Sequence, residues 1–352
     1  MLTLLSRFNE SLTAPPVSKA TLKGMSATRF SPSQDRLTAS PVTLIIPTFR
    51  RPDGLRTALE SVFMQKGVER VPLRIVVCDN SPEGSARAYV EALTPPDKMT
   101  VVYLHEPNPG VANARNAALK VDHDPFIVFL DDDEEAPPYW LSRMLSTQCQ
   151  FKADVVFGPV IARLKDENVA YRDYFESFFS RTGPETPGLL DVYFGCGNSL
   201  IRRDSLPRKG DVFSLERNNC GGEDDKLFYG LQQSGARIAW APDAVVHEDV
   251  PESRSNLGYT LKRAFAYGQG PSTTAMAAIP PKPVSCAYWM LNGLVQMTVF
   301  GIAGGLLWLV RAKVAPNVLD KAARGAGKLL WFPPFKMHFY GTALLKKNPA
   351  GR

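Results

Sequence analysis

The sequence predicts an α/β fold: a Rossmann-like, mostly parallel sheet flanked by helices, followed by a membrane-associated helical C-terminal region. Three observations carry this expectation. Short apolar runs at 42–46, 73–78, 100–104 and 126–130 alternate with segments of helical periodicity. The connections between them are short, and strand–helix–strand units joined that tightly wind into parallel sheets. Residues 287–310, about 24 in number, carry no formal charge, and at about 1.5 Å per helical residue they are long enough to cross a bilayer core.

Residues 1–41 are rich in Ser, Thr, Pro and Ala with scattered basic residues, and read as a flexible leader. Order begins at Val42. Helical patterns at 52–65 (Leu55, Leu59, Val62 and Phe63 on one face), 83–93 and 111–120 separate the first four strands. Ligands in such sheets sit at the carboxyl ends of the strands. Three of the four strands run there into polar residues: Thr48-Phe49-Arg50, Asp79-Asn80 and Asp131-Asp132-Asp133. A helix over 138–150, a strand over 154–157 and an aromatic stretch over 171–179 follow. Strands at 192–201 and 237–240 flank a helix beginning near Glu223. The chain thus divides into a leader, an α/β domain at 42–270 and a C-terminal region at 271–352.

Composition narrows the class. A chain of 352 residues is long for one core, and 44% hydrophobic with 22% charged residues is ordinary for a globular protein. The net charge of +6 favours anionic partners: nucleic acid, anionic lipid and diphosphates all fit it. Five cysteines without a CxxC pair argue against a disulfide framework or a cysteine-built zinc site, and for a reducing compartment. No basic segment followed by a long apolar run opens the chain, so no secretory signal is expected. Lys282 before 287–310, and Arg311 and Lys313 after it, put positive charge on both sides, which disfavours a simple span. A hairpin with the apolar stretch 329–345, which Pro333-Pro334 breaks, or a helix lying in the interface fits better. A buried core helix is the alternative, because Asn292, Gln296 and several glycines dilute its apolarity.

Chemistry concentrates in two acidic clusters. Three adjacent carboxylates after the apolar strand at 127–130 repel one another, and a divalent cation with a diphosphate would account for them. The alternative is an acidic loop capping the helix at Pro137-Pro138. Gly221-Gly222-Glu223-Asp224-Asp225 is the second cluster, where glycines allow close backbone approach and a helix dipole alone would favour the acids. The pair matters more than either cluster: one set of carboxylates can hold a cation on leaving phosphates while another takes a proton from an attacking hydroxyl. His247, among Glu248 and Asp249, is either structural or a ligand. The loop from Asn108 to Asn116, with Arg115, offers backbone N–H groups to phosphate or simply opens a capped surface helix. Asp79 either accepts a base N–H or caps the turn Asn80-Ser81-Pro82.

These pieces resemble family 2 glycosyltransferases of the GT-A fold. Ile46-Pro47-Thr48-Phe49-Arg50-Arg51, Val77-Cys78-Asp79-Asn80-Ser81, Ala114-Arg115-Asn116, Phe129-Leu130-Asp131-Asp132-Asp133 and Gly222-Glu223-Asp224 occur in that family's order over 42–270. More narrowly, Ala241-Pro242-Asp243-Ala244-Val245, Val250-Pro251-Glu252-Ser253-Arg254 and Lys262-Arg263-Ala264-Phe265 are similar to exopolysaccharide glucosyltransferases of the succinoglycan type. The resemblance implies one inverting displacement at an anomeric carbon. By it, Asp131 and Asp133 match the DxD motif and hold Mg²⁺ or Mn²⁺, with His247 a further candidate ligand. Pro47 and Thr48 line the base pocket, Asp79 reads the uracil edge, and Arg50, Arg115, Asp131 and Asp132 bind the nucleotide sugar. Asp224 matches the general base, with Asp225 as its rival, and Asn198 and Glu223 support the acceptor side.

The implied partners are a UDP-sugar such as UDP-glucose, a polyprenyl-diphosphate-linked glycan and a membrane, not nucleic acid. The implied place is the cytoplasmic face of a bacterial inner membrane. The Gln-x-x-Arg-Trp signature of processive synthases is absent, and Leu231-Gln232-Gln233-Ser234 does not replace it, so one sugar per encounter is expected. Four other classes fit less well. A haloacid-dehalogenase phosphatase carries Thr or Val where Glu135 stands. Nucleotidyltransferases and dinucleotide dehydrogenases need a glycine-rich loop where Pro47–Asp53 stands. An inactive, membrane-tethered scaffold would have no reason to keep both acidic clusters.

Overall fold

In the computed structural model, which describes residues 40–121, 123–215 and 222–337, the first four apolar runs are neighbouring strands. They are β1 (Val42–Thr48), β2 (Leu73–Asp79), β3 (Met99–His105) and β4 (Phe126–Phe129). The crossovers are α1 (Pro52–Phe63), α2 (Arg87–Glu91) and α3 (Val111–Leu119). Next come β5 (Glu134–Glu135), α4 (Trp140–Phe151), β6 (Val155–Phe157), β7 (Val160–Leu164) and α5 (Arg172–Phe179). They lead to β8 (Gly188–Leu190), β9 (Ser199–Arg202), α6 (Glu223–Gln233), β10 (Ile238–Trp240) and β11 (Val246–Val250).

The large sheet runs β3-β2-β1-β4-β9-β6-β10-β8. Its pairs are parallel except where β9 runs against β4 and β6, and β8 against β10. Strand alternation splits its core. Leu44, Ile46, Ile75 and Val77 face Leu55, Leu59 and Val62 of α1 and Trp140 and Met144 of α4. Ile45, Val76 and Cys78 face Ala114 and Ala118 of α3 and Leu227, Phe228 and Leu231 of α6. Both faces are covered, which is why these strands read as continuous apolar runs. Pro47 sits inside β1 at no cost. Ile45 accepts from Leu130 on the β4 side and Thr48 from Asn80 on the β2 side, so Pro47 faces the β4 side just past that strand's last paired residue.

Three expectations need correction. The strand foreseen over 192–201 is only Ser199–Arg202, because the carbonyls of Gly195 and Gly197 accept from Arg181 and hold 192–198 as a loop. The helix foreseen over 83–93 shrinks to α2, because the turn before it is bonded to Asp79 and Ser81. Residue 270, the foreseen domain boundary, lies inside the continuous helix α7 (Leu257–Ala277). The chain forms two compact units instead. One holds the described residues up to Ile161 and Arg181–Glu248; the other holds Ala162–Ser180 and the described residues from Asp249. The leader at 1–39 and the end of the stretch 329–345 lie outside the described residues.

The second unit contains α5, α7, α8 (Pro283–Leu309) and α9 (Ala315–Leu329). Its helices meet backbone to backbone. A Cβ on Gly293 would stand 2.6 Å from the Gly325 carbonyl oxygen, and one on Gly325 would stand 2.6 Å from the Met297 nitrogen. Glycine is what allows this approach. Among the described residues α8 packs on α9; the foreseen hairpin partner, 329–345, is described only as far as residue 337. Lys328 of α9 donates to both side-chain amides of α8, Asn292 at 3.0 Å and Gln296 at 2.7 Å. Only 11% of the most apolar stretch of α8 is buried, so it is no core helix among the described residues. Tyr288, Leu291, Val295, Val299, Ile302, Leu306 and Leu309 form its exposed apolar stripe.

Asn198 ties the first unit together. It is fully buried, accepts from Trp140 Nε1 at 2.7 Å, and donates Nδ2–H to the Pro159 and Ala244 carbonyls at 2.7 and 2.9 Å. Asn198→Ala strands three buried polar groups and should cost about 3 kcal/mol, read as a lower denaturant midpoint at unchanged slope. A midpoint like the wild type's would show that water replaces the amide.

Candidate active site

The site follows from strand register. β4 and β9 are antiparallel with Phe129 opposite Ser199, so continuing that register two residues sets Asp131 against Gly197. A Cβ on Gly197 would lie 2.6 Å from Asp131 Oδ2 and 2.9 Å from Glu134 Oε1, so any side chain there would push both carboxylates aside. The carboxyl ends of β1, β2 and β4 thereby meet the loop entering β9 and the first turn of α6.

The three aspartates face different ways. Asp131 keeps 36% of its side chain exposed, and its Oδ1 accepts from Arg115 Nη2 at 3.2 Å. Asp132 turns inward. It accepts from the Thr48 hydroxyl at 2.8 Å, the Phe49 N–H at 3.4 Å and Arg51 Nη1 at 2.9 Å. Asp133 shares Arg51 Nη1, at 2.6 Å. Glu134 is buried and accepts from the Asp131 N–H at 2.9 Å. Arg115 is buried too, with Nη1 on Glu223 at 2.8 Å and its guanidinium over the Phe129 and Phe213 rings. It links the two acidic clusters.

Crowding shows in the protonation equilibria. Burial, opposed by Arg115 and reinforced by Asp133 and Asp224, pushes Asp131 up. Burial raises Asp132 to about 6, and raises Glu134 well above its ordinary value with Asp131 adding to it. Asp224 Oδ2 accepts from the Cys196 N–H at 2.9 Å, and its Oδ1 from the Asp225 N–H at 3.0 Å. Asp225 is exposed. The first of the two aspartates is the one turned into the cluster.

Other foreseen site residues are placed elsewhere. Arg50 pairs with Glu83 at 2.6 Å on the surface, and the neighbouring Arg51 takes the cluster position. Asp79 is fully buried and accepts from the Ser81 N–H and hydroxyl, the Ala86 N–H and the Tyr103 hydroxyl, which realises the turn-capping alternative. Arg115 has both terminal nitrogens on carboxylates rather than turned to a phosphate. The Gly110 N–H donates to Asn80 Oδ1, so that loop's first donor is occupied. Pro47 and Thr48 do end β1 beside the cluster, while Asn198 and Glu223 sit beneath it as supports. His247 lies in β11 opposite Glu135. Among the described residues no three His, Cys, Asp or Glu side chains are grouped to hold an ion, so His247 forms no such group with Asp131 and Asp133. Sequence reasoning passed over Arg51, Glu134 and Arg181. Glu134 directly continues the aspartate run and was legible; Arg181 follows an aromatic stretch with no motif around it.

A divalent cation fits this chemistry. Mg²⁺ characteristically takes one or two carboxylates and completes its shell with substrate phosphates, so Asp131 and Asp133 suffice as protein ligands. The surplus of carboxylate over guanidinium charge is what a cation would offset.

A model of glycosyl transferase family 2 matches residues 43–208. The chain is 39% identical over 223 residues to the succinoglycan biosynthesis protein ExoM of Rhizobium meliloti, covering 63% of this chain and 71% of that one. It is 28% identical over 291 residues to the pre-mycofactocin glycosyltransferase of Mycobacterium tuberculosis, covering 81% of this chain but only 58% of that one. It is 29% identical over 112 residues to WfaP of Escherichia coli, covering 31% of this chain and 40% of that protein. WfaP is named a UDP-Glc:α-D-GlcNAc-diphosphoundecaprenol β-1,3-glucosyltransferase.

Glu223 generates a pH dependence. Burial, opposed by Arg115 and helped by Asp224, raises its carboxyl from 4.5 to about 7. Between those values the folded chain keeps a proton that the unfolded chain has lost. Its contribution therefore favours folding most below about pH 4 and is lost as pH climbs through about 7. The melting temperature should fall from pH 5.5 to pH 8, and Glu223→Gln should flatten that fall. An unchanged slope in the variant would assign the dependence to other groups.

Proposed function

This chain belongs to glycosyltransferase family 2, and from that membership we propose an inverting, single-addition transfer of a hexose from a UDP-sugar, UDP-glucose foremost. The chain is a glycosyltransferase of exopolysaccharide or glycan biosynthesis. The observation that carries this proposal is the juxtaposition of Asp131, at the end of β4, with Asp224, in the first turn of α6 and bonded to the loop entering β9.

Asp131 and Asp133 would hold Mg²⁺ or Mn²⁺ against the donor diphosphate. That ion, when bound, would neutralise charge developing on the leaving phosphate. Pro47 and Thr48 flank the base, on a floor that Asp79 and Asp132 brace from below. Asp224 accepts the proton of the acceptor hydroxyl as its oxygen forms the new bond to the anomeric carbon. The bond from that carbon to the diphosphate oxygen breaks on the opposite face, its electron pair leaving with the nucleotide. One displacement inverts the configuration.

The acceptor is a polyprenyl-diphosphate-linked glycan, a reading supported by the activity for which WfaP is named. The place is the cytoplasmic face of a bacterial inner membrane, where nucleotide sugars are. Residues 257–337 support it: they carry nine Lys and Arg and one acidic residue, Asp320, beside the apolar stripe of α8. Such a combination suits an anionic leaflet.

Asp224→Asn should keep donor binding and lose transfer by roughly a hundred-fold or more. Asp225→Asn should transfer like the wild type. Transfer from UDP-glucose to undecaprenyl-diphosphate-linked acceptors is the assay. An inactive Asp225→Asn beside an active Asp224→Asn would move the base by one residue.

A further inference from the structure

We propose that Arg181 is a positioning residue for Asp224, acting through the single peptide group that joins Gly195 to Cys196. Arg181 is half-buried and spends its donors on backbone carbonyls. Its Nε and Nη2 reach Gly158 at 3.2 and 2.9 Å, Nη1 reaches Gly195 at 2.8 Å, and Nη2 also reaches Gly197 at 2.6 Å and Asn198 at 3.2 Å. The Phe157 and Phe194 rings hold its guanidinium at 5.8 and 5.7 Å.

The Gly195 carbonyl and the Cys196 N–H belong to one planar peptide, and in a trans peptide they point in opposite directions. Arg181 donates to the oxygen at one end, and the N–H at the other end donates to Asp224 Oδ2 at 2.9 Å. A cation on the carbonyl and an anion on the N–H polarise the peptide in the same sense, so each hydrogen bond strengthens the other. On the far side of Cys196 its own carbonyl accepts from the Ser199 hydroxyl at 2.5 Å, and the Arg181 bond to the Gly197 carbonyl holds the peptide after that. Gly195 completes the fit, because a Cβ there would stand 3.3 Å from Asp224 Oδ2. Each carboxylate oxygen retains a further lone pair for the acceptor proton. A lysine would keep the charge, but its single ammonium cannot span the carbonyls that the planar fork serves.

This inference rests on Asp224 being the base. The test is a double-mutant cycle of Arg181→Lys with Asp224→Asn, read as kcat, donor KM and UDP affinity. Arg181→Lys alone should lower kcat by about tenfold or more while UDP affinity and donor KM stay within about twofold. In the Asp224→Asn background the same change should cost less than about twofold. Gly195→Ala, which presses on the Asp224 carboxylate and leaves Arg181 in place, should reproduce the pattern and decides the matter should Arg181→Lys not fold. Losses that multiply in the double variant, or UDP affinity falling in step with kcat, overturn the role of Arg181. An active Asp224→Asn overturns the base assignment itself.

Discussion

Carboxylate repulsion at the carboxyl end of β4 is the constraint around which the first unit is organised. Asp131, Asp132, Asp133, Glu134, Glu223 and Asp224 converge there on Arg51, Arg115 and Arg181. Arg51 takes Asp132 and Asp133, and Arg115 takes Asp131 and Glu223. Arg181 spends itself on carbonyls. Negative charge remains in excess, and it raises the carboxyls of Asp131, Asp132, Glu134 and Glu223 together with burial. A fold gains nothing from concentrating such charge, so a site that spends stability this way must recover it on binding.

Backbone geometry delivers the charges to one place. The reversal of β9 between β4 and β6 brings the loop at 192–198 back to Asp131, as the register of Phe129 with Ser199 requires. Gly197 admits Asp131 and Glu134 on one side of that loop, and Cys196 holds Asp224 on the other. Asp131 and Asp224 thus flank the three consecutive residues Gly195, Cys196 and Gly197. Arg115 ties Asp131 to Glu223 from beneath.

Much of this was legible in the residues. The parallel half of the sheet was, because strands covered on both faces are uninterrupted apolar runs and the helices between them carry one apolar stripe. The acidic clusters were, because adjacent like charges after an apolar strand have few structural uses. The antiparallel strand β9 was misjudged in length, since what keeps 192–198 out of the ladder is a guanidinium 14 residues upstream of Gly195. Arg50 was preferred to Arg51, although a one-residue shift at the end of a strand turns a side chain to the other face. Asp79, which the resemblance sets against the uracil edge, has its carboxylate taken up by the turn that follows β2. Short-range patterns reveal which residues are chemical; which neighbours satisfy them depends on long-range pairing.

The proposed transfer requires Asp131 and Asp133 to share a divalent cation with the donor's diphosphate. Calorimetric titration of UDP into the protein, with Mn²⁺ and then with EDTA, tests it most directly, repeated with Asp133→Ala after circular dichroism shows an unchanged fold. The account predicts UDP binding that needs the cation and that Asp133→Ala abolishes. Equal UDP affinity with and without the cation, or in the variant, would contradict it.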